Sequence, residues 1–150
     1  MWFYTCCGPT GTYANRFIDY PLLKVRYLHW LNFHYGATGY LHWGYNWWDT
    51  LSPYTQTQVT YSSRLAYPAG DQAIVYPTPD GGLYDSMRWE AVRAGIEDYE
   101  LLMMLEEKDP KKARRISASL IRGFNDYDMD IARFRAARLR LLRTLERKSE

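Results

Sequence analysis

Two short apolar runs, with one helical stretch between them, place the tightest limit on how this chain can fold. "WFYTC" (2–6) and "TGYLHWG" (38–44) read as strands, rich in aromatic residues and bounded by turn signals. Between them, Leu22 or Leu23, Arg26–Tyr27, Trp30, and Phe33 or His34 recur at helical spacing. Pro21 fits a first helical turn, Asp19 stands near the positive helix end, and the helix is expected to finish near Gly36. Strand, helix and strand in this order form a βαβ unit, whose strands run parallel through a right-handed crossover.

The rest of the chain extends this alternation. An irregular stretch from Tyr45 to about Gly70 precedes a strand at Gln72–Tyr76 and a turn region, "TPDGGLYD". A long helix is expected from about Ser86 to Glu107. Trp89, Val92, Ile96, Tyr99 and Met103 would form its buried stripe. Pro110 opens a further helix to about Arg122, and Gly123 to Asp128 break it. The last helix carries Ile131, Phe134, Ala137, Leu141 and Leu145 on one face. Three strands are too few to close a barrel. The expected fold is therefore α/β: a partial (β/α) barrel, the C-terminal βα units of a TIM-type barrel, ending in a helical extension. Residues 1–107 would form the barrel units and 108–150 an extension of two helices.

The segment "TGYLHWGYNWWDTLSPY" (38–54) holds seven rings in seventeen positions, counting the imidazole of His42, together with Asn46 and Asp49. Active sites of parallel barrels lie at the C-terminal ends of the strands. Here those ends are Tyr4–Asn15, His42–Trp48 and Tyr76 onward. Rings beside a His, an Asn and an Asp at a strand end suggest a surface built to stack against something flat. Trp43, Tyr45, Trp47 and Trp48 supply rings, and His42 and Asn46 supply polar edges. By strand alternation, Leu41 and Trp43 point one way and Tyr40 and His42 the other, so one set faces the helices. Tyr13 and Asn15 lie in the loop after the first strand, on the same face, where ordinary turn chemistry also accounts for Asn15.

Bulk properties remove several classes. A hydrophobic content of 47% argues against a disordered chain. Residues 1–107 carry a net charge of −5 (6 Lys/Arg, 11 Asp/Glu), and 108–150 carry +7 (13 and 6). The basic third alternates Arg with Leu and Ala and has few rings to stack on bases, so it reads as a solvated helix face and no nucleic-acid partner is expected. No run reaches the roughly 18 apolar residues of a membrane span, and no membrane partner is expected. "MWFYTCCGPTG" has neither the basic nor the apolar region of a signal peptide. Adjacent Cys6 and Cys7 lack conventional zinc-ligand spacing and would be strained as a disulfide. His29 and His34, five apart, miss the i,i+4 spacing of paired helical ligands, so neither metal nor cofactor is expected. "GPTG" lacks the lysine of a phosphate loop, and no G-x-S-x-G elbow occurs. Arg88, Glu90, Arg93, Glu97 and Glu100 read as a charged helix surface.

Four blocks carry a resemblance: "WFYTCCGPTGTYANRFIDYP", "YGATGYLHWGYNWW", "PAGDQAIVYP" and "DSMRWEAVRAGIEDYELL". In this order they resemble the C-terminal part of the catalytic domain of glycoside hydrolase family 123, and the related domain of unknown function family 4091, over roughly residues 1–107. The resemblance implies a (β/α)₈ barrel that removes β-linked N-acetylgalactosamine. The sugar's own acetamido oxygen would attack the anomeric carbon, an exception to the two-carboxylate schemes. In the family an adjacent Asp-Glu pair orients the acetamide and protonates the leaving group. No Asp-Glu dipeptide occurs here, and Glu97-Asp98 is reversed and mid-helix. The chain is thus expected to supply the sugar-binding wall without the chemical centre, or to be a non-catalytic binding or interaction remnant.

The expected substrate-contacting residues are Tyr13, Asn15, His42, Trp43, Tyr45, Asn46, Trp47 and Asp71, with no catalytic residue among them. His42 would donate to a sugar hydroxyl or to a carboxylate. Asp71 falls within a family block, although its place before the third strand would put it at the non-catalytic end of a barrel. The expected partners are an N-acetylhexosamine-containing glycan and either a missing N-terminal barrel segment or a second copy of the chain. A glycan substrate fits a secreted or periplasmic parent protein.

Overall fold

The computed structural model describes residues 1–48, 52–62 and 65–148. Strand β1 (Trp2–Thr5) leads through helix α1 (Leu22–Tyr35) to strand β2 (Gly39–His42), and the two strands pair in parallel from Trp2↔Gly39 to Thr5↔His42. The expected βαβ unit is present. Pro21 stands one residue before α1, with ψ 137°, rather than inside its first turn. Strands β3 (Thr60–Ser62) and β4 (Leu65–Ala66) form a short antiparallel pair, as do β5 (Val75–Pro77) and β6 (Leu83–Asp85). Helix α2 (Met87–Lys108) and helix α3 (Pro110–Ala118) follow. The hairpin of β7 (Ile121–Gly123) and β8 (Asp126–Tyr127) precedes helix α4 (Ile131–Glu146). No helix among the described residues is long and apolar enough to cross a membrane.

The third expected strand departs from a parallel array. Residues 75–77 turn back on 83–85 as an antiparallel hairpin, so "TPDGGLYD" is the hairpin's tip and second strand. Among the described residues an isolated antiparallel bridge, Asn46↔Ala73, and the amides of Trp47 and Ile74 join this region to the segment after β2. The fold is mixed α/β, with four helices and four two-stranded sheets among the described residues.

Helix α1 is buried on nearly every side from Lys24 to Phe33, a central helix rather than a surface helix with one apolar stripe. Tyr27, Trp30 and Phe33 are its largest fully buried side chains. One core runs from Ala14 and α1 through Ile74 and α2 to Phe134, Ala137, Leu141 and Leu145 of α4. The α4 face agrees with the sequence pattern except for Ile131, which is exposed at the first turn.

Helix α2 centres its buried face away from Ile96 of the expected stripe: Val92 is buried, and Trp89, Tyr99 and Met103 pack half-buried against the core. Arg88, Ala91, Val92, Gly95, Asp98, Leu102 and Leu105 point inward, while Ile96 is 42% exposed. Two features set this phase. At Gly95 an added Cβ would lie 2.7 Å from the Arg26 carbonyl oxygen, so only glycine lets α2 approach α1 this closely. Three residues on, the fully buried Asp98 carboxylate accepts hydrogen bonds from Arg26 Nε (2.7 Å) and Nη2 (2.9 Å), Trp30 Nε1 (2.9 Å) and Arg138 Nε (2.8 Å). A charge without water is stable only when paired and bonded on this scale.

Replacing Asp98 with Asn would leave two guanidinium groups facing a neutral amide. Asp98→Asn is expected to lower unfolding stability by about 3–5 kcal/mol. Arg93→Ala, on the exposed face of the same helix, should barely shift the transition. Urea unfolding followed by far-UV circular dichroism measures both.

Candidate functional site

Beyond the C-terminal ends of β1 and β2 lies a cavity of about 440 Å³. Four rings line it: Tyr4 at the end of β1, Trp43 and Trp47 after β2, and Tyr67. Cys6, Cys7, Val59 and Thr60 complete the lining. The Trp43 and Trp47 rings lie 5.8 Å apart at 60°, and Trp43 meets Tyr67 edge-on at 5.9 Å. A second cavity of about 310 Å³ adjoins across Trp47, Val59 and Thr60, and also touches Trp48, Gln56 and Gln72. Trp47 therefore separates two neighbouring spaces.

A buried polar chain holds Trp43 in place. Its indole N–H donates to Asp71 Oδ2 at 2.8 Å. The other carboxylate oxygen of Asp71 faces His42 Nε2 at 3.2 Å, too poorly aligned for a linear hydrogen bond. On the far side of the imidazole, Nδ1 accepts from Arg16 Nη2 (2.7 Å) and from the Gly44 amide (3.2 Å). That occupancy assigns the ring proton to Nε2, toward Asp71. Burial lowers the His42 pKa, more than the Asp71 contact raises it, so the imidazole is neutral between a cation and an anion. Burial also lowers Arg16, to about 10, which keeps it charged at neutral pH.

Asp71 thus lies at the wall end of β2, not at the opposite end of the fold where its place before the third strand had put it. The reason is local. Residues 67–73 form turns instead of leading straight into a parallel strand, and their carbonyls press on Gly44. An added Cβ at Gly44 would sit 2.5 Å from the Asp71 carbonyl oxygen and 2.6 Å from that of Gln72. Arg88 holds the same turn from behind. Its guanidinium donates to the carbonyls of Arg16 (2.7 Å), Gly70 (2.9 Å) and Ala73 (2.7 Å), and to Tyr76 Oη (3.1 Å). Sequence pattern assigned Arg88 to a solvated face, yet it is buried. Its position four residues before Val92, in helical phase with the core, was the available signal.

The other expected site residues are dispersed. Tyr45 packs edge-on against Trp89 at 5.6 Å, and its backbone carbonyl receives the Ile74 amide. Asn46 is exposed and bridges Ala73 through its backbone. Asn15 is fully buried; its amide donates to the Cys6 and Pro9 carbonyls and its oxygen accepts from the Arg16 amide. Tyr13 lines a separate, smaller cavity of about 240 Å³ between β1 and α1, with Phe3, Leu28 and Tyr40. Asp49 lies outside the described residues. Tyr40 is the member of the alternating pair that faces the helices: it contacts His29 of α1 and bonds Thr5 Oγ1 at 2.5 Å, whereas Leu41 is exposed. Arg16 and Tyr67 belong to no spacing motif that would mark them in sequence, and the adjacent thiols lack a conventional ligand spacing.

Residues 1–105 match the family model described as glycoside hydrolase 123, catalytic domain. The chain belongs to this glycoside hydrolase family, the match running from β1 into α2. No curated protein matches the chain.

Two outcomes follow from the network. Asp71→Asn keeps the shape but halves the acceptors for Trp43 and His42. It should reduce the near-UV tryptophan circular dichroism while leaving the far-UV spectrum intact, at a stability loss of about 1–3 kcal/mol. The pH dependence comes from buried and half-buried imidazoles. Burial lowers His42 and His34, and takes His29 from 6.5 to about 4. Each binds its proton more readily in the unfolded chain, so stability is complete above about pH 6.5 and falls as pH drops toward 4. His29 alone should contribute about 3 kcal/mol of that loss. Urea midpoints between pH 7.5 and 4.5 are expected to fall, and His29→Phe should flatten the slope.

Proposed function

We propose that this chain carries the aromatic sugar-binding wall of a glycoside hydrolase active site, within the C-terminal βα units of a (β/α) barrel. The carrying observation is the cavity beyond the ends of β1 and β2, where Tyr4, Trp43, Trp47 and Tyr67 surround about 440 Å³. Pockets of this size hold a small ligand on apolar walls with a few polar groups to orient it. The adjoining space beyond Trp47 suits a second sugar unit. The substrate in this reading is a glycan with terminal β-linked N-acetylgalactosamine. Its acetamido oxygen bonds to the anomeric carbon as the glycosidic bond breaks, and an acid outside the wall gives a proton to the departing oxygen. Water then opens the ring intermediate. The chain's rings hold the sugar plane and exclude water during these steps. The residues contacting sugar are Trp43 and Trp47, with His42 and Asp71 acting through Trp43.

The carboxylate pair for this chemistry would come from another segment, because no Asp-Glu dipeptide occurs here. The outward face of the parallel pair supports such a partner. Trp2, Tyr4 and Leu41 are 66%, 53% and 48% exposed on it, and parallel sheets are ordinarily covered on both faces. Preceding barrel strands or a second copy of the chain would cover it. The missing pair also favours a second reading, a carbohydrate-binding remnant without chemistry.

Tryptophan emission titrated with N-acetylgalactosamine tests the wall. A saturable change is expected, and Trp43→Ala or Trp47→Ala should weaken it about tenfold. A folded chain whose emission ignores the sugar would refute the wall. The same chain should not cleave an aryl β-N-acetylgalactosaminide. Turnover would overturn the assignment of the carboxylates to another segment.

A further inference from the structure

The thiols of Cys6 and Cys7 have no part in the function above, yet both line the aromatic cavity. Both are reduced, and their sulfur atoms stand 3.7 Å apart. In a tetrahedral thiolate complex with metal–sulfur bonds of about 2.3 Å, two sulfurs are separated by about 3.8 Å. The pair therefore already spans one edge of such a tetrahedron. Among the described residues, no group of three or more His, Cys, Asp or Glu is placed to hold a metal, so the chain would supply two donors and leave two positions facing the cavity.

We infer that Cys6 and Cys7 form a two-thiolate chelate for a thiophilic divalent cation of the zinc and cadmium class, opening on the aromatic cavity. On binding, each sulfur exchanges its proton for a bond to the cation, and two protons pass to the buffer; nothing is oxidised or reduced. Each thiol must lose its proton to bind, so binding strengthens as pH rises. The ion would occupy part of the space beside Trp43 and Trp47. Its competition with sugar rests on the function proposed above, whereas its binding does not.

Cadmium chloride titrated into the whole chain tests the site, because cadmium–thiolate bonds absorb in the near ultraviolet. The expected result is one saturable absorbing ion per chain, release of about two protons, and quenching of tryptophan emission. Cys6→Ser and Cys7→Ser should each weaken binding by about 100-fold, since each removes one arm of the chelate. Far-UV circular dichroism confirms that the variants fold. No thiolate absorbance, or absorbance that survives equally in either single variant, would overturn the inference. If cadmium binds and N-acetylgalactosamine leaves the emission unchanged, the chelate stands and the sugar reading falls. If the sugar binds and cadmium produces no thiolate absorbance, the chelate falls and the sugar reading stands.

Discussion

A carboxylate in the middle of α2 sets which face of that helix turns inward, and much else follows from it. Asp98 has no water to solvate it, so it must lie where Arg26, Trp30 and Arg138 can reach it together. That requirement joins α1, α2 and α4 at one point. Gly95 permits the approach and Asp98 fixes the rotation. Apolar burial alone would not centre this face on Asp98, because a turn of the helix toward Ile96 would bury Trp89, Tyr99 and Met103 more fully than their present half-buried packing. The unbonded carboxylate is the costlier error by several kcal/mol, and it wins.

The rotation reaches the cavity through Arg88. On the same broad face of α2, one helix end away, its guanidinium gathers carbonyls from three separate places: Arg16, Gly70 and Ala73. Two of these flank Asp71. The turn they hold presses on Gly44 and presents the Asp71 carboxylate to Trp43 and His42. The orientation of a cavity ring is thus traceable, bond by bond, to the packing of a helix well away from it. A ring on a free loop would lose rotamer entropy on binding sugar. A ring already bonded through its indole nitrogen has lost it on folding.

Local periodicity made part of this legible in the sequence. The βαβ unit, α1, the long α2 and the buried face of α4 all follow from apolar spacing. The concentration of rings after His42 foretold two rings of the cavity lining, Trp43 and Trp47, and the four sequence blocks pointed to the family. What was not legible is non-local. Whether residues 75–77 pair in parallel or fold back depends on Leu83–Asp85, and a short apolar run cannot express that. The burial of Arg88 and Asp98 depends on partners up to 72 residues away in sequence. Tyr45 and Trp47 look equivalent in a strand of period two. The backbone there is irregular, however, so Tyr45 turns to Trp89 while Trp47 enters the cavity.

The polar groups behind the wall also bear on where chemistry can occur. A general acid must come within hydrogen-bond reach of the proton it transfers. Asp71 has no exposed surface and is committed to Trp43 and His42. The His42 side chain is 2% exposed, and its Nδ1 is occupied by Arg16 and Gly44. Neither group has the exposed surface that delivering a proton to a ligand requires. The charged residues nearest the cavity are thus arranged to hold a ring still. In the function proposed above, the rings on this side would bind and orient, and the groups that move protons would approach from across the cavity.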